Sequence, residues 1–141
     1  MKLFFFGTLM DPHVVSMVTG LSPNEIVLKP AFIRNFLCKY AKGASFPVLV
    51  PTNEDVPLVE GRLFETDSEE ILARLDRYEG NLYYPEMLTV LLPTGEPVKA
   101  RVYLANWDRL SATDEDWTYE KWKHRRDTVV IVGTYTYTSA A

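Results

Sequence analysis

A single cysteine, Cys38, stands among the chain's 141 residues. No intrachain disulfide can form, and a reducing compartment is the simplest setting. Cys38 itself reads as a small buried apolar residue. Histidine is nearly as scarce: His13 and His124 lie more than a hundred positions apart, and neither has a second His or Cys at ligand spacing, so no metal site is expected. Long hydrophobic runs are missing too. Lys2 followed by Leu3, Phe4, Phe5 and Phe6 opens like a signal peptide, but Gly7 and Thr8 stop the run short of the roughly 7–15 apolar residues of an h-region. No stretch approaches the roughly 20 apolar residues of a membrane span, so the expectation is a cytoplasmic, unprocessed chain with no membrane partner. An excess of positive charge is also absent: 15 Lys plus Arg face 19 Asp plus Glu, a net charge of -4. That balance argues against a polyphosphate partner, nucleic acid included.

What is present is the balance of a soluble globular unit, 47% hydrophobic and 24% charged. A chain of this size hides about 68–70% of its extended surface on folding, enough to fold without metal or disulfide. No fixed-period repeat, Ser/Gly-rich linker or low-complexity tract divides the sequence, and residues 1–141 are expected to form one domain.

Lys2–Phe6, ended by Gly7, has the pattern of a buried strand entering a turn. Asp11-Pro12 predicts a helix with proline at its first position, carrying Val14, Val15, Met17 and Val18 to a stop at Gly20. Prolines 30, 47, 51 and 57 cut the following apolar stretches into short strands. The clearest helix starts at Asp67, where Asp67-Ser68-Glu69-Glu70 offers a cap and a capping-box acid. Ile71, Leu72, Leu75 and Tyr78 share its apolar face, and Gly80 ends it. Tyr83–Leu92 and Val98–Ala105 flank Pro93-Thr94-Gly95-Glu96 as a hairpin. Thr113-Asp114-Glu115-Asp116 reads as the cap of a second helix through Trp117, Tyr119, Lys121 and Trp122, and Val129–Tyr137 as a closing strand. Strands outnumber helices without alternating with them, which favours an α+β fold around a curled mixed sheet.

Few constellations could carry chemistry. Ser45, in Gly43-Ala44-Ser45-Phe46-Pro47, lacks the second glycine of a nucleophile elbow. Gly7-Thr8-Leu9 lacks the glycine spacing and lysine of a phosphate-binding loop. Lys121, Lys123, His124, Arg125 and Arg126 form the one basic cluster, with Trp117 and Trp122 beside it. With Glu115 and Asp116 opening the helix and the basic residues closing it, the charges follow the macrodipole, and a solvated helix explains them better than base stacking does. Glu79 is more informative. It stands at the carboxyl end of a helix, where unpaired carbonyls and the negative dipole end disfavour a carboxylate. Facing an apolar pocket, it would have the raised pKa that suits a general acid/base near neutral pH. Two other readings stay open from the residues alone: Glu79 points into water or pairs with Arg74 or Arg77, or Asp76 is the functional carboxylate.

Phe4-Phe5-Phe6-Gly7-Thr8-Leu9 resembles the Tyr-Gly-Thr/Ser-Leu turn of the gamma-glutamylcyclotransferase-like family, which includes the gamma-glutamylamine cyclotransferases and the plant avirulence-induced-gene proteins. Val59-Glu60-Gly61-Arg62-Leu63-Phe64-Glu65, Leu75-Asp76-Arg77-Tyr78-Glu79-Gly80 and Tyr84 continue the resemblance. Phe46-Pro47-Val48-Leu49-Val50-Pro51 and Ala100-Arg101-Val102-Tyr103 also look like family segments, so the ordered set covers about residues 2–106.

The resemblance implies a small mixed β-barrel-like sheet flanked by helices, with the amino-terminal turn and Glu79 meeting over a cavity. It also implies a reaction of cofactor-independent lyase or acyltransferase type. The free α-amine of a small γ-glutamyl compound attacks its own γ-carbonyl, closing 5-oxoproline and releasing an amine or amino acid. Glu79 would be the catalytic acid/base, and Phe6, Gly7, Thr8 and Leu9, with Tyr84 and Tyr103, would bind substrate. No cofactor and no metal is implied. Two positions depart from the family: Phe6 stands where Tyr is usual, and Glu86 where many members have Arg. Either could alter specificity, which keeps open a noncatalytic small-molecule-binding domain on the same fold; an interaction module built on the Trp117–Trp122 helix is the third alternative.

No salt-sensitive binding to DNA or RNA is expected of the basic helix. Submicromolar binding at physiological salt that weakens on mutating Arg125 and Arg126 would overturn this expectation.

Overall fold

The computed structural model describes residues 1–132. Among the described residues eight strands, in two sheets, and three α-helices follow one another. Strands β1 (Lys2–Phe5), β2 (Lys29–Ile33), β5 (Val59–Glu65), β6 (Tyr83–Leu91) and β7 (Pro97–Ala105) close a barrel in the order β1-β5-β2-β6-β7. The neighbours within that order pair antiparallel. Closure is made by a parallel contact, β1 on β7, with Leu3 opposite Arg101 and Phe4 opposite Val102. Strands β3 (Phe36–Ala41), β4 (Pro47–Pro51) and β8 (Ala112–Asp116) form a second sheet in the order β4-β3-β8. The result is the mixed, barrel-like α+β fold expected.

Helix α1 (Pro12–Thr19) begins and ends as its sequence dictates. The Asp11 carboxylate accepts from the His13 N–H at 2.8 Å, Pro12 occupies the first turn, and Gly20 closes the helix at φ +80°. Helix α2 (Glu69–Glu79) is capped by Ser68, one residue later than expected, because its hydroxyl, rather than the Asp67 carboxylate, accepts from the Ile71 N–H at 3.2 Å. The two helices are joined by Arg74, whose guanidinium donates to the Thr19 carbonyl at 2.7 Å and so satisfies an end group of α1 from α2.

Two expectations near the carboxyl end are corrected. Residues 112–116 form strand β8, not a helix cap, since β3 takes them into a ladder with Lys39 opposite Asp116, and the Lys39 ammonium meets that carboxylate at 2.6 Å. Helix α3 (Tyr119–Val132) starts later, with Thr118 Oγ1 accepting from the Lys121 N–H at 3.2 Å. Glu115 therefore does not open the helix. It receives Lys121 at 3.3 Å and Arg125 at 2.8 Å from outside it, so ion pairing rather than dipole matching holds these basic residues. The expected strand from Val129 is helical through Val132, and positions 133–137 lie outside the described residues. Trp117 and Trp122 are buried as expected, the Trp117 indole donating to the Ser45 carbonyl at 3.0 Å.

The barrel's tightest approach is at Gly61 on β5. A Cβ built there would lie 2.5 Å from the Phe4 ring and 2.5 Å from the Phe5 carbonyl oxygen. Both belong to β1, whose Leu3, Phe4 and Phe5 are fully buried. Gly61→Ala is expected to destabilise by about 3 kcal/mol, against the small gain that Gly→Ala brings at an unstrained site. Denaturant unfolding measures it, and an unchanged midpoint would contradict the packing described.

Candidate active site

The site is built where the end of β1 meets the end of α2. Helix α2 forms because Ser68 caps it, Glu69 and Glu70 match its positive end, and Ile71, Leu72 and Leu75 pack inward at helical spacing. The same periodicity brings Asp76 and Glu79, three residues apart, onto one side of its last turn. Gly80, at φ +65°, then turns the chain away.

Glu79 is the anomaly of this region. It is 1% exposed, and neither carboxylate oxygen has a hydrogen-bond partner among the described residues. Neither Arg74 nor Arg77 neutralises it. Burying an unpaired carboxylate is costly enough that the group keeps its proton instead. Burial, with the Asp76 charge added, pushes Glu79 well above the ordinary carboxylate range.

Asp76 has the opposite surroundings. The Arg101 guanidinium donates through one nitrogen to both its carboxylate oxygens, at 2.8 and 2.9 Å, and the Tyr103 hydroxyl donates to one of them at 2.7 Å. Arg101 and Tyr103 alternate on β7, so both present to the same face. Burial, then the bond to Asp76 and the nearby charges of Asp76 and Glu79, raise the Tyr103 phenol above its usual range, against a lowering contribution from Arg101.

From the other side comes the Gly7 turn. After β1, Thr8–Met10 make one 3-10 turn, the Met10 N–H donating to the Gly7 carbonyl at 2.9 Å and the Asp11 N–H to the Thr8 carbonyl at 3.2 Å. Thr8 Oγ1 lies 2.8 Å from the hydroxyl of Tyr78, the residue before Glu79. That contact joins the amino-terminal turn to the carboxyl end of α2, 70 residues apart in sequence.

The remaining candidates are distributed differently. Tyr103 is buried beside Asp76. Tyr84 is 46% exposed, and the register that sets it opposite Leu104 and Tyr103 opposite Pro85 sends the two tyrosines to opposite faces of the β6–β7 ribbon. Tyr84 and Tyr103 thus do not share one pocket wall. Glu86 follows Tyr84 on its face and is likewise exposed. Phe6 is buried and lines a cleft of about 410 Å³ with Met10, Phe36, Cys38 and Trp117, a cleft that Glu79 does not line. Cys38 is half-buried there rather than fully buried as expected, and burial, then Asp116, push its thiol up to about 12, Lys39 opposing. Arg101 and Tyr78 lie in the segments that carry the family resemblance but are not among the site residues expected from the sequence. The usable signal was the Arg101/Tyr103 pair two apart on a strand, with an acid one turn before Glu79.

The profile of the family described as gamma-glutamyl cyclotransferase, AIG2-like, matches residues 3–124. The chain belongs to that family. Its fold is similar to a solution structure from Arabidopsis thaliana at 21% identity and TM-score 0.69, covering 93% of this chain and 77% of that one. A structure described as gamma-glutamyl cyclotransferase is similar at 14% identity and TM-score 0.65, covering 79% and 69%. An AIG2-like protein from Mus musculus is similar at 22% identity and TM-score 0.61, covering 82% and 86%. No curated protein matches by sequence. Within this family's fold, the turn after β1 and the end of α2 are the two segments that Thr8 and Tyr78 join.

The buried carboxyl gives stability a pH dependence of known sign. Below the ordinary Glu value of 4.5, Glu79 is protonated in both the folded and unfolded chain, and its contribution is full. As pH rises past that value the unfolded chain releases the proton and the folded one does not, so stability falls by up to about 1.4 kcal/mol per pH unit until the folded group ionises. Glu79→Gln should therefore melt above wild type at about pH 8. The difference should shrink toward about pH 4, where both states of wild type hold the proton. Thermal melts across that range measure it, and a variant less stable than wild type at the alkaline end would contradict the burial described.

Proposed function

We propose that this chain is a gamma-glutamylcyclotransferase-type enzyme that converts a small γ-glutamyl compound to 5-oxoproline and a free amine or amino acid, with Glu79 as its acid/base. The observation that carries the reading is the Glu79 carboxyl, buried and without a partner at the end of α2. A residue kept only for stability would be paired or replaced there, since natural structures rarely leave both oxygens of a buried carboxylate unsatisfied. Its raised pKa suits a group that must accept and return a proton near neutral pH.

The reaction asks for little else. The α-nitrogen of the glutamyl group attacks the γ-carbonyl carbon, forming the ring C–N bond as the bond from that carbon to the leaving nitrogen breaks. Glu79, once ionised, takes the proton released by the attacking amine and returns it to the departing nitrogen, so that atoms and charge balance over the cycle. Because attack is intramolecular, the protein's part is to hold the substrate folded on itself, and no nucleophilic side chain is required. The backbone around Gly7, Thr8 and Leu9 would cradle the glutamyl group or the developing oxyanion, glycine allowing the close approach. Phe6, with the neighbouring cleft, and Tyr103 would shape the surroundings.

A noncatalytic binding domain is the second reading, favoured by one observation: the 410 Å³ cleft beside Phe6 does not include Glu79. Incubation with a panel of γ-glutamyl amines and amino acids, with 5-oxoproline followed by mass spectrometry, separates the two. Under the enzymatic reading Glu79→Gln lowers turnover by about 10²-fold or more with little change in ligand affinity. Binding without turnover by the wild type would favour the second reading, and full turnover by Glu79→Gln would overturn the assignment of the acid/base.

A further inference from the structure

Glu79 has no hydrogen bond to hold it, yet its location is closely determined. One turn earlier on the same helix, Asp76 is fastened to the barrel by Arg101 and Tyr103, both from β7. That attachment ties the last turn of α2 to the barrel wall, and Tyr78 meets Thr8 on the side of the amino-terminal turn. The Arg101 guanidinium reaches Asp76 through Nη2 and lies 5.8 Å from the centre of the Tyr103 ring, while its Nε is buried without a partner among the described residues.

We propose that Arg101 and Tyr103 are positioning residues that act through Asp76, holding the end of α2 against β7 and fixing how much negative charge faces Glu79. The proposal rests on the reading of Glu79 as the acid/base for its catalytic meaning, though its physical content does not. Asp76 is the like charge that bears on Glu79. From β7 come Arg101, which offsets Asp76, Tyr103, which stays protonated, and further along the strand Lys99, which is exposed. From the amino-terminal turn comes Thr8, which does not titrate near neutrality. Helix α1, packed on α2, brings the capping carboxylate of Asp11 and the exposed His13. Arg74, on α2 itself, is engaged with Glu70 at 2.7 Å and the Thr19 carbonyl; Arg77 is the remaining charge of its last turn.

The two partners of the Arg101–Asp76 pair should then move Glu79 in opposite directions. Asp76→Asn removes a negative charge from beside Glu79 and eases its ionisation. Arg101→Met leaves that negative charge without its counter-ion and makes ionisation of Glu79 harder. A purely structural role predicts something else, because loosening the helix end admits water to Glu79 and eases its ionisation in both variants.

The experiment follows the Glu79 side-chain carboxyl by 13C NMR across pH in the ligand-free wild type and in Asp76→Asn, Arg101→Met, Arg101→Lys and Tyr103→Phe. The expected result is a midpoint lower by about 0.5 pH unit or more in Asp76→Asn, higher by a similar amount in Arg101→Met, and restored toward wild type in Arg101→Lys. Tyr103→Phe should move the midpoint less than either, since it removes a hydrogen bond but no charge. Shifts of the same sign in Asp76→Asn and Arg101→Met, or none in either, would overturn the proposal. If Arg101→Met does not fold, Asp76→Asn against Arg101→Lys decides: a fall in the first with a near-wild-type midpoint in the second supports it, and equal falls overturn it. Titration needs no turnover, so a chain that processes no γ-glutamyl compound but shows the opposite shifts loses the functional reading and keeps this one. Where turnover is present, the acidic limb of its pH profile should follow the same shifts.

Discussion

Everything at the candidate site depends on β1 being held between two strands that run in different senses. β5 pairs with it antiparallel and β7 parallel, so its position along the barrel is set from both sides. The chain leaving β1 at Phe5 therefore enters the Gly7 turn at a fixed height relative to Tyr103 on β7. A slip of one residue would turn Leu3, Phe4 and Phe5 inside out. The close approach of Gly61 to the Phe4 ring guards that register, because the contact is available to glycine alone.

On that frame α2 has two anchors, Thr8 against Tyr78 and the Arg101–Tyr103 pair against Asp76, with Glu79 one residue beyond the first and one turn beyond the second. Its carboxyl is thus placed by its neighbours and satisfied by none of them. Such a division of labour is common where a group must remain chemically available: rigidity is supplied by residues whose bonding is complete, and the reactive atom is left with unfilled valence for hydrogen bonds.

Much of this was legible in the sequence, and the pattern of what was not has a physical origin. Local signals were read correctly where the chain itself decides the structure. Asp11-Pro12 and Gly20 bound α1 at both ends, and Gly80 stops α2, because caps and left-handed positions involve only adjacent residues. The hairpin around Thr94-Gly95 is local in the same sense. Thr113–Asp116 carries a convincing helix cap and is a strand, since the partner that recruits it, Lys39, is 77 residues away. The choice of Ser68 over Asp67 turns on which side chain reaches one N–H, which spacing does not decide. At the site, Glu79 was conspicuous for a local reason, a carboxylate at the wrong end of a helix. The attachment of Asp76 to Arg101 joins residues 25 apart on different elements, and the spacing of Arg101 and Tyr103 shows that they share a face without showing which acid they meet. Tyr84 and Tyr103 looked equivalent as strand aromatics, and only the register shows that they face apart.

The parallel contact that closes the barrel also fixes an order of events during synthesis. Leu3 and Phe4 pair with Arg101 and Val102, so the most apolar strand is made first and its last partner about a hundred residues later. At typical elongation rates of roughly 5–20 residues per second, that leaves β1 without β7 for several seconds or more. Its antiparallel partner β5 arrives earlier and can shelter one edge, but the other stays open until the β6–β7 ribbon has emerged. An unpaired edge carrying the consecutive buried aromatics Phe4 and Phe5 is a template for pairing with another chain. The exposure of that edge ends only when β7 arrives, so the parallel pairing is also the step that removes β1 from the reach of other copies.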